Sequence, residues 1–298
     1  MQAIILAAGF GTRLRPYTEL RPKPLFPVLN RSLLEVHLAT LTALGCHPIV
    51  VNAHHLSDQI EKVLQHWPGV FLQLEEEILG TGGSLRKALH VFENKPILVM
   101  NGDIFHNIDL NLLYYQHKQH TCPVSMAVHD HSRFNCMTVS RGLVNDFSCA
   151  PDTAGLAFTG IHITTPAVLE RIPQGCFHHI IDLYAELAGQ REIAALRVDG
   201  AYWHDMGTPE DYLDLHRYLL GRKKEKYRWL IDPTARLMPG VLLQGWGCIG
   251  KNVLVGKGAI LKNAVVWDNA VIAPGQKYEN AIVTGVDLEP SIHMEGRA

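Results

Sequence analysis

The stretch Ala3-Ile-Ile-Leu-Ala-Ala-Gly-Phe-Gly-Thr-Arg-Leu-Arg-Pro16 decides how this chain is read. Ala3 to Ala8 form a continuous apolar run, the pattern of a buried strand. Gly9 and Gly11 follow it. A glycine-rich turn after a buried strand can approach a phosphate closely, because glycine has no Cβ and tolerates positive φ. Arg13 adds a planar fork matched to phosphate oxygens, and Lys23, in Pro22-Lys-Pro-Leu25, adds a point charge. Two other phosphate motifs do not fit. A dinucleotide fingerprint needs a third glycine where Leu14 stands, and a P-loop needs Gly-Lys-Ser or Gly-Lys-Thr.

Outward from this stretch, apolar runs alternate with helical patterns. Leu34, Leu38 and Leu41 share a helical face that Gly45 would end. Pro48–Asn52 reads as the next strand and Leu56–His66 as a helix. Val70–Leu74, Ser84–Val91 and Pro96–Met100 continue the alternation, and helices are expected at Ile180–Ala188 and Pro209–Leu220. Such repeats imply right-handed βαβ units, a mostly parallel sheet flanked by helices, and an α/β, Rossmann-like fold. Ligands of such sheets bind outside the carboxyl ends of the strands, where Gly9–Arg13, Asn52–His55 and Asn101–Asp103 should fall.

After the charged stretch 221–226 the period changes. Ile231, Leu237, Leu243, Ile249, Val255, Leu261 and Trp267 recur every sixth residue, each followed four residues on by a small or apolar one, from Ala235 to Val271. Seven such hexads indicate a short left-handed β-helix of little more than two coils. A stub that short needs a neighbour to bury its core, so it leans on the first domain or on a second copy. The expected division is 1–222 and 223–298.

Composition sets the remaining bounds. The chain has 298 residues, 47% of them hydrophobic and 19% charged, with a net charge of −2, which excludes wholesale disorder and disfavours bulk binding of nucleic acid by charge. No apolar run approaches the ~20 residues of a membrane span, and the N-terminal run lacks the form of a signal peptide. The six cysteines lie scattered with no CxxC pair, a pattern that suits a reducing cytosol and small buried side chains better than a disulfide framework. Among the 17 histidines, only the spacing of His129 and His131 could set a pair on one strand face. His54-His55 and His178-His179 are unsuited to chelating one ion, although His54 or His55 could line the cleft.

Six segments in order, LAAGFGTRLRPYT (6–18), RPKPLFPV (21–28), LGTGGSLRKAL (79–89), LVMNGD (98–103), FTGI (158–161) and WHDMGTPEDY (203–212), give the chain a strong family likeness. It resembles the sugar-1-phosphate nucleotidyltransferases, the NDP-sugar pyrophosphorylases. Its compact catalytic region is most similar to N-acetylmuramate-1-phosphate uridylyltransferases and to heptose- or mannose-1-phosphate guanylyltransferases, and its tail to that of longer members. The resemblance implies an enzyme of envelope or glycan precursor synthesis, cytoplasmic, using Mg²⁺, an NTP (UTP or GTP) and a sugar 1-phosphate. UTP with an N-acetylmuramate- or hexosamine-type phosphate is the first expectation. GTP with a mannose or heptose phosphate is the second.

The resemblance also assigns roles. Arg13, Lys23, Asp103 and Asp205 are expected to be catalytic, the two aspartates as metal ligands. Leu6, Ala7, Ala8, Gly9, Gly11, Thr12 and Arg13 would contact the nucleotide, with Gly80, Thr81, Gly82 and Gly83 at its base and ribose. Asn101, Thr159 and Gly160 would contact the sugar. Two family features are missing: Ile78 stands where many relatives have proline, and Arg133–Met137 with the Asp146–Thr153 loop replaces a Glu-Lys-Pro segment. The blander readings are helix-capping aspartates, solvated turn cations, and glycines that only allow close packing. A non-catalytic sugar-nucleotide-binding subunit is the rival of another class. The tail is too short for a β-helix acyltransferase, and it offers a route to a homo-oligomer.

Overall fold

A computed structural model describes residues 1–147, 155–221 and 228–286. The connector beyond Gly221, most of the Asp146–Thr153 loop, Cys149 and the C-terminal His293 lie outside these residues. Contacts divide the chain into two compact units: Met1–Phe10 with Leu34–His204, and Gly11–Leu33 with Asp205–Ala298. The change of sequence period at 222 is therefore not where contacts part the chain.

The first unit is built on a nine-stranded sheet. Its order is Val70–Leu74, Ile49–Ala53, Gln2–Leu6, Ile97–Asn101, Ala157–Thr164, Val124–His129, Ile193–Arg197, Leu143–Asp146 and Thr138–Ser140. The first four strands are mutually parallel, and Ala157–Thr164 runs antiparallel to both of its neighbours. This is the expected mostly parallel sheet, to which Val124–His129, Thr138–Ser140, Leu143–Asp146 and Ala157–Thr164 add strands. Helices Leu33–Ala43, Ser57–Leu64, Gly80–Ala88, Leu110–His117 and Ile180–Gly189 accompany it. Ile4, Val50, Leu85, Val99, Met126 and Tyr184 belong to one continuous core.

The second unit contains helix Pro209–Gly221 and the hexad tail. The tail forms two parallel sheets. One holds Arg228–Ile231, Leu242–Ile249, Ile260–Val266 and Lys277–Val283; the other holds Arg236–Leu237, Leu254–Val255 and Val271–Ile272. Ile249, Val255 and Leu261 point into the stack as their six-residue spacing requires.

The frame then departs from expectation. Arg236 pairs with Leu254, 18 residues on, but Leu254 pairs with Val271, 17 residues on. Val266 and Ile272 fill the inner positions, while Trp267 lies outside that core cluster and Val271 is 63% exposed. The cause is a bulge between Gln244 and Gly247, which gives the first coil one residue more than the next. Gly245 turns this corner at φ +64°, and a Cβ there would overlap Asn263 Oδ1 of the next coil.

The cysteines and histidines refine the compositional reading. Cys46, Cys122, Cys176 and Cys248 are thiols, but Cys136 is disulfide-bonded, so scattered spacing did not exclude a single bridge. Several histidines are neutral core rings. His37 and His106 stack with centroids 5.8 Å apart, and burial lowers their pKa values to about 3 and about 4. His162 lies edge-on to Tyr184, neither ring nitrogen has a hydrogen-bond partner among the described residues, and burial lowers its pKa to about 3. Such rings stay neutral when folded and take up a proton below about pH 6.5 when unfolded, so stability falls as pH drops from about 6.5 toward 3. Replacing His162 by Leu is expected to flatten this acid limb by an amount of order a few kcal/mol. Urea unfolding of both proteins between pH 7 and pH 4 would measure it; parallel limbs would contradict the assignment.

Candidate active site

In the first unit, parallel strands bring expected site residues together. Leu6 pairs with Asn101, and the Gly102 amide donates to Leu6 O at 2.8 Å. Ala7, Ala8 and Gly9 thus emerge beside the turn that carries the half-buried Asp103. Gly160 closes on the same place. Its φ is +75°, and a Cβ would come 2.7 Å from both Asn101 Nδ2 and Ile104 Cδ1. Thr159 is fully buried; its hydroxyl donates to Ala127 O at 2.8 Å, and its carbonyl accepts from Trp203 Nε1 at 2.8 Å. Its side chain is thereby committed to holding Gly160 in place.

The segment Leu79–Gly83 opens helix Gly80–Ala88 and packs on Cys176–Ile180. Gly82 and Gly83 donate their amides to His178 O at 2.8 and 3.3 Å, and Ile180 N donates to Thr81 Oγ1 at 3.1 Å. A Cβ on Gly82 or Gly83 would come 2.8 or 2.6 Å from this segment, so both glycines allow the close packing, which is compatible with a place at the nucleotide base. Phe10 is half-exposed and lies against both His54 and His55, with centroids 5.3 and 5.9 Å away. His129 and His131 are 5.4 Å apart and both pack on Trp203. Among the described residues, no group of three or more His, Cys, Asp or Glu side chains is placed to hold a metal.

A buried polar network beneath the glycine-rich turn was not anticipated. Asn52 Oδ1 accepts from the Ala7 amide at 2.6 Å, and its Nδ2 donates to Glu75 Oε1 at 2.9 Å and to Ser84 Oγ at 3.0 Å. Gln73 donates to Glu75 and to Ser84 O, and Glu75 Oε2 accepts from the Leu79 amide at 3.3 Å. One cluster thus pins both the turn after the first strand and the entry to LGTGG. The signal available in sequence was Asn52 and Gln73 as polar residues within the strand runs Pro48–Asn52 and Val70–Leu74, with Glu75 directly after the second.

The second unit gathers three of the four expected catalytic residues. Gly11, at φ +61°, precedes the single turn Thr12–Leu14, in which Thr12 and Arg13 are exposed while Leu14 is buried. Thr18 Oγ1 donates back to Gly11 O at 3.1 Å. Lys23 sits in the turn Lys23–Leu25, its Nζ 3.5 Å from Asp205 Oδ1, with both side chains largely buried. Arg13 borders the same place: a Cβ on Gly207 would lie 2.8 Å from Asp205 Oδ2 and 3.1 Å from Arg13 Nη1. A guanidinium and an ammonium beside one aspartate could receive a polyanion, and the carboxylate could offer oxygen ligands.

Residues 2–222 match the nucleotidyl transferase family. The chain belongs to that family. A nucleotidyl transferase must neutralise triphosphate charge, which suits the Arg13–Lys23–Asp205 grouping. The chain is 30% identical to the mannose-1-phosphate guanylyltransferase of Mycobacterium tuberculosis over 288 residues, covering 86% of this chain and 77% of that one. It is 28% identical to the Schizosaccharomyces pombe mannose-1-phosphate guanyltransferase over 268 residues, covering 85% and 74%. A putative glucose-1-phosphate thymidylyltransferase from Bacillus anthracis superposes with a TM-score of 0.65 at 18% identity, covering 76% of this chain and 96% of that one. The inositol-1-phosphate CTP transferase of T. maritima gives 0.61 at 18%, covering 70% and 90%. The solved structures share the fold. No helix among the described residues is long and apolar enough to cross a membrane.

The network makes a stability prediction for this nucleotidyl transferase. Asn52→Ala removes the acceptor of Ala7 N and two bonds to buried partners. An unsatisfied buried group costs about 1–3 kcal/mol, so a destabilisation of at least that size is expected from chemical unfolding. A cost under about 0.5 kcal/mol, the range of ordinary surface changes, would mean the network does not carry load.

Proposed function

We propose that this chain transfers a guanylyl group from GTP to a mannose-type sugar 1-phosphate and releases pyrophosphate. The observation that carries the reading is the length of the match to the two guanylyltransferases. A match covering 86% of the chain runs past residue 222 into the tail. The uridylyl expectation drew on the compact catalytic region, which several branches of the family share.

In this reading a sugar phosphate oxygen attacks the α-phosphorus in line. A bond forms from that oxygen to phosphorus, the bond to the β-phosphate oxygen breaks, and pyrophosphate leaves. Arg13 stabilises charge on the departing phosphates, and Lys23 neutralises charge near the reacting centre. The backbone from Leu6 to Gly9, with Gly11 and Thr12, cradles the nucleotide, and Gly80–Gly83 shape its base site. Asn101 and Gly160 contact the sugar, with Thr159 as their support. Asp103 and Asp205 are the residues that would hold a divalent ion, Mg²⁺ above all. Their donors suit it, since Mg²⁺ is commonly bound by one or two carboxylates together with substrate phosphates. When bound, the ion would supply charge neutralisation on the phosphates.

Two experiments test this. Thermal melts with Mg²⁺ and each of GTP, UTP, dTTP, ATP and CTP should show the largest stabilisation with GTP, about 2.7 kcal/mol at a hundredfold excess over Kd. A shift with UTP instead would return the reading to the uridylyl branch. Pyrophosphate release with mannose 1-phosphate should be lost in Asp103→Asn while the melt of the free protein stays as in wild type. Near-normal turnover would remove Asp103 from the mechanism.

A further inference from the structure

Lys23 lies on one short turn between Arg21 and Phe26, and residues of the hexad tail hold both ends of that turn. At one end, Arg21 Nη1 is 2.8 Å from Asp268 Oδ1, and its guanidinium lies 4.7 Å from the centre of the Trp267 ring. The two charged side chains are 23% and 35% exposed, so solvent only partly screens the pair. At the other end, the fully buried Phe26 meets Trp267 edge-to-face at 4.8 Å and Tyr212 at 5.6 Å. Trp267 Nε1 donates to the Tyr212 hydroxyl at 3.3 Å, and that hydroxyl donates to Pro27 O. Farther along, Asn30 Nδ2 donates to Ile249 O at 2.9 Å.

Between these anchors the backbone has little freedom. Pro22 and Pro24 fix two φ angles, and the amides of Leu25 and Phe26 donate back to Pro22 O and Lys23 O at 2.8 and 3.1 Å. A turn this short and this constrained transmits the position of its ends to the Lys23 ammonium.

We propose that Trp267 and Asp268 are positioning residues of the nucleotidyl transferase: they clamp Arg21 and Phe26 and so set Lys23 for the transfer step. The inference rests on the reading of Lys23 as a charge-neutralising residue. It gives the tail a part in the reaction without any contact to substrate. It also accounts for the one-residue slip of the tail, which leaves Trp267 outside the stack and against the turn.

The test is steady-state kinetics on the full-length chain with pyrophosphate release as readout. Asp268→Asn is nearly isosteric and removes only the charge. It is expected to lower kcat by about 10- to 100-fold, the scale of a small misplacement of a reacting group. KM for the sugar 1-phosphate and the melting temperature should stay at wild-type values. Trp267→Leu should act in the same direction. Exchanging the pair, Arg21→Asp with Asp268→Arg, should recover kcat from the level of either single variant. The proposal is overturned if Asp268→Asn keeps kcat within about twofold, if kcat falls only together with the melting temperature, or if the exchange recovers nothing. Wild-type protein that releases no pyrophosphate from any NTP and sugar phosphate would refute the functional reading itself, before any variant is compared.

Discussion

Two parallel strands that end side by side at Leu6 and Asn101 set the conditions for everything chemical in the first unit. Beyond the last ladder bond, their backbone groups must find partners elsewhere, and the chain solves this with short turns and polar side chains. Gly102 returns its amide to Leu6, and Asn52 reaches across from the neighbouring strand to take the Ala7 amide. Asn52 is itself held by Glu75 and Ser84, so the support of the glycine-rich turn runs through three strands and a helix. The result is a stiff floor under the start of the turn, where a Cβ on Gly9 would meet nothing within 4 Å.

Much of this was legible in the sequence because apolar periodicity and glycine act locally. Val70–Leu74 has the same bounds in both readings, and the strands read at Ala3–Ala8, Pro48–Asn52 and Pro96–Met100 shift by one or two residues, whereas Val124–His129, Ala157–Thr164 and Ile193–Arg197 were given no bounds. The likeness to nucleotidyl transferases rests on short segments whose backbone conformation depends on glycine and proline, and those signals survive without a partner in view. The network of Asn52, Gln73 and Glu75 was not legible, because a buried polar residue is recognised only by what it bonds to. Thr159 illustrates the same point: the motif marks it as important, but only the fold shows its hydroxyl facing Ala127.

The tail failed differently. Its hexad spacing holds without interruption through Trp267, and the sequence offers an apolar residue wherever the count demands one. Yet a corner glycine at positive φ takes up one extra residue in the first coil, and from there the count and the stack part company. Gly245 looks like any other glycine in a repeat rich in them. Side-chain size offered a hint, since a β-helix this narrow takes Val266 inside more readily than an indole.

The indole left outside changes what kind of object the tail is. Phe26 and Tyr212 belong to the portion matched by the nucleotidyl transferase family, and both are completely covered, with Trp267 among the rings that meet them. Cutting the chain at the connector would strip that cover and leave two large aromatic side chains facing water. The tail is thus closer to a missing wall of the enzyme than to an appended module, and tails exchanged between relatives would have to match this wall as well as their own coils.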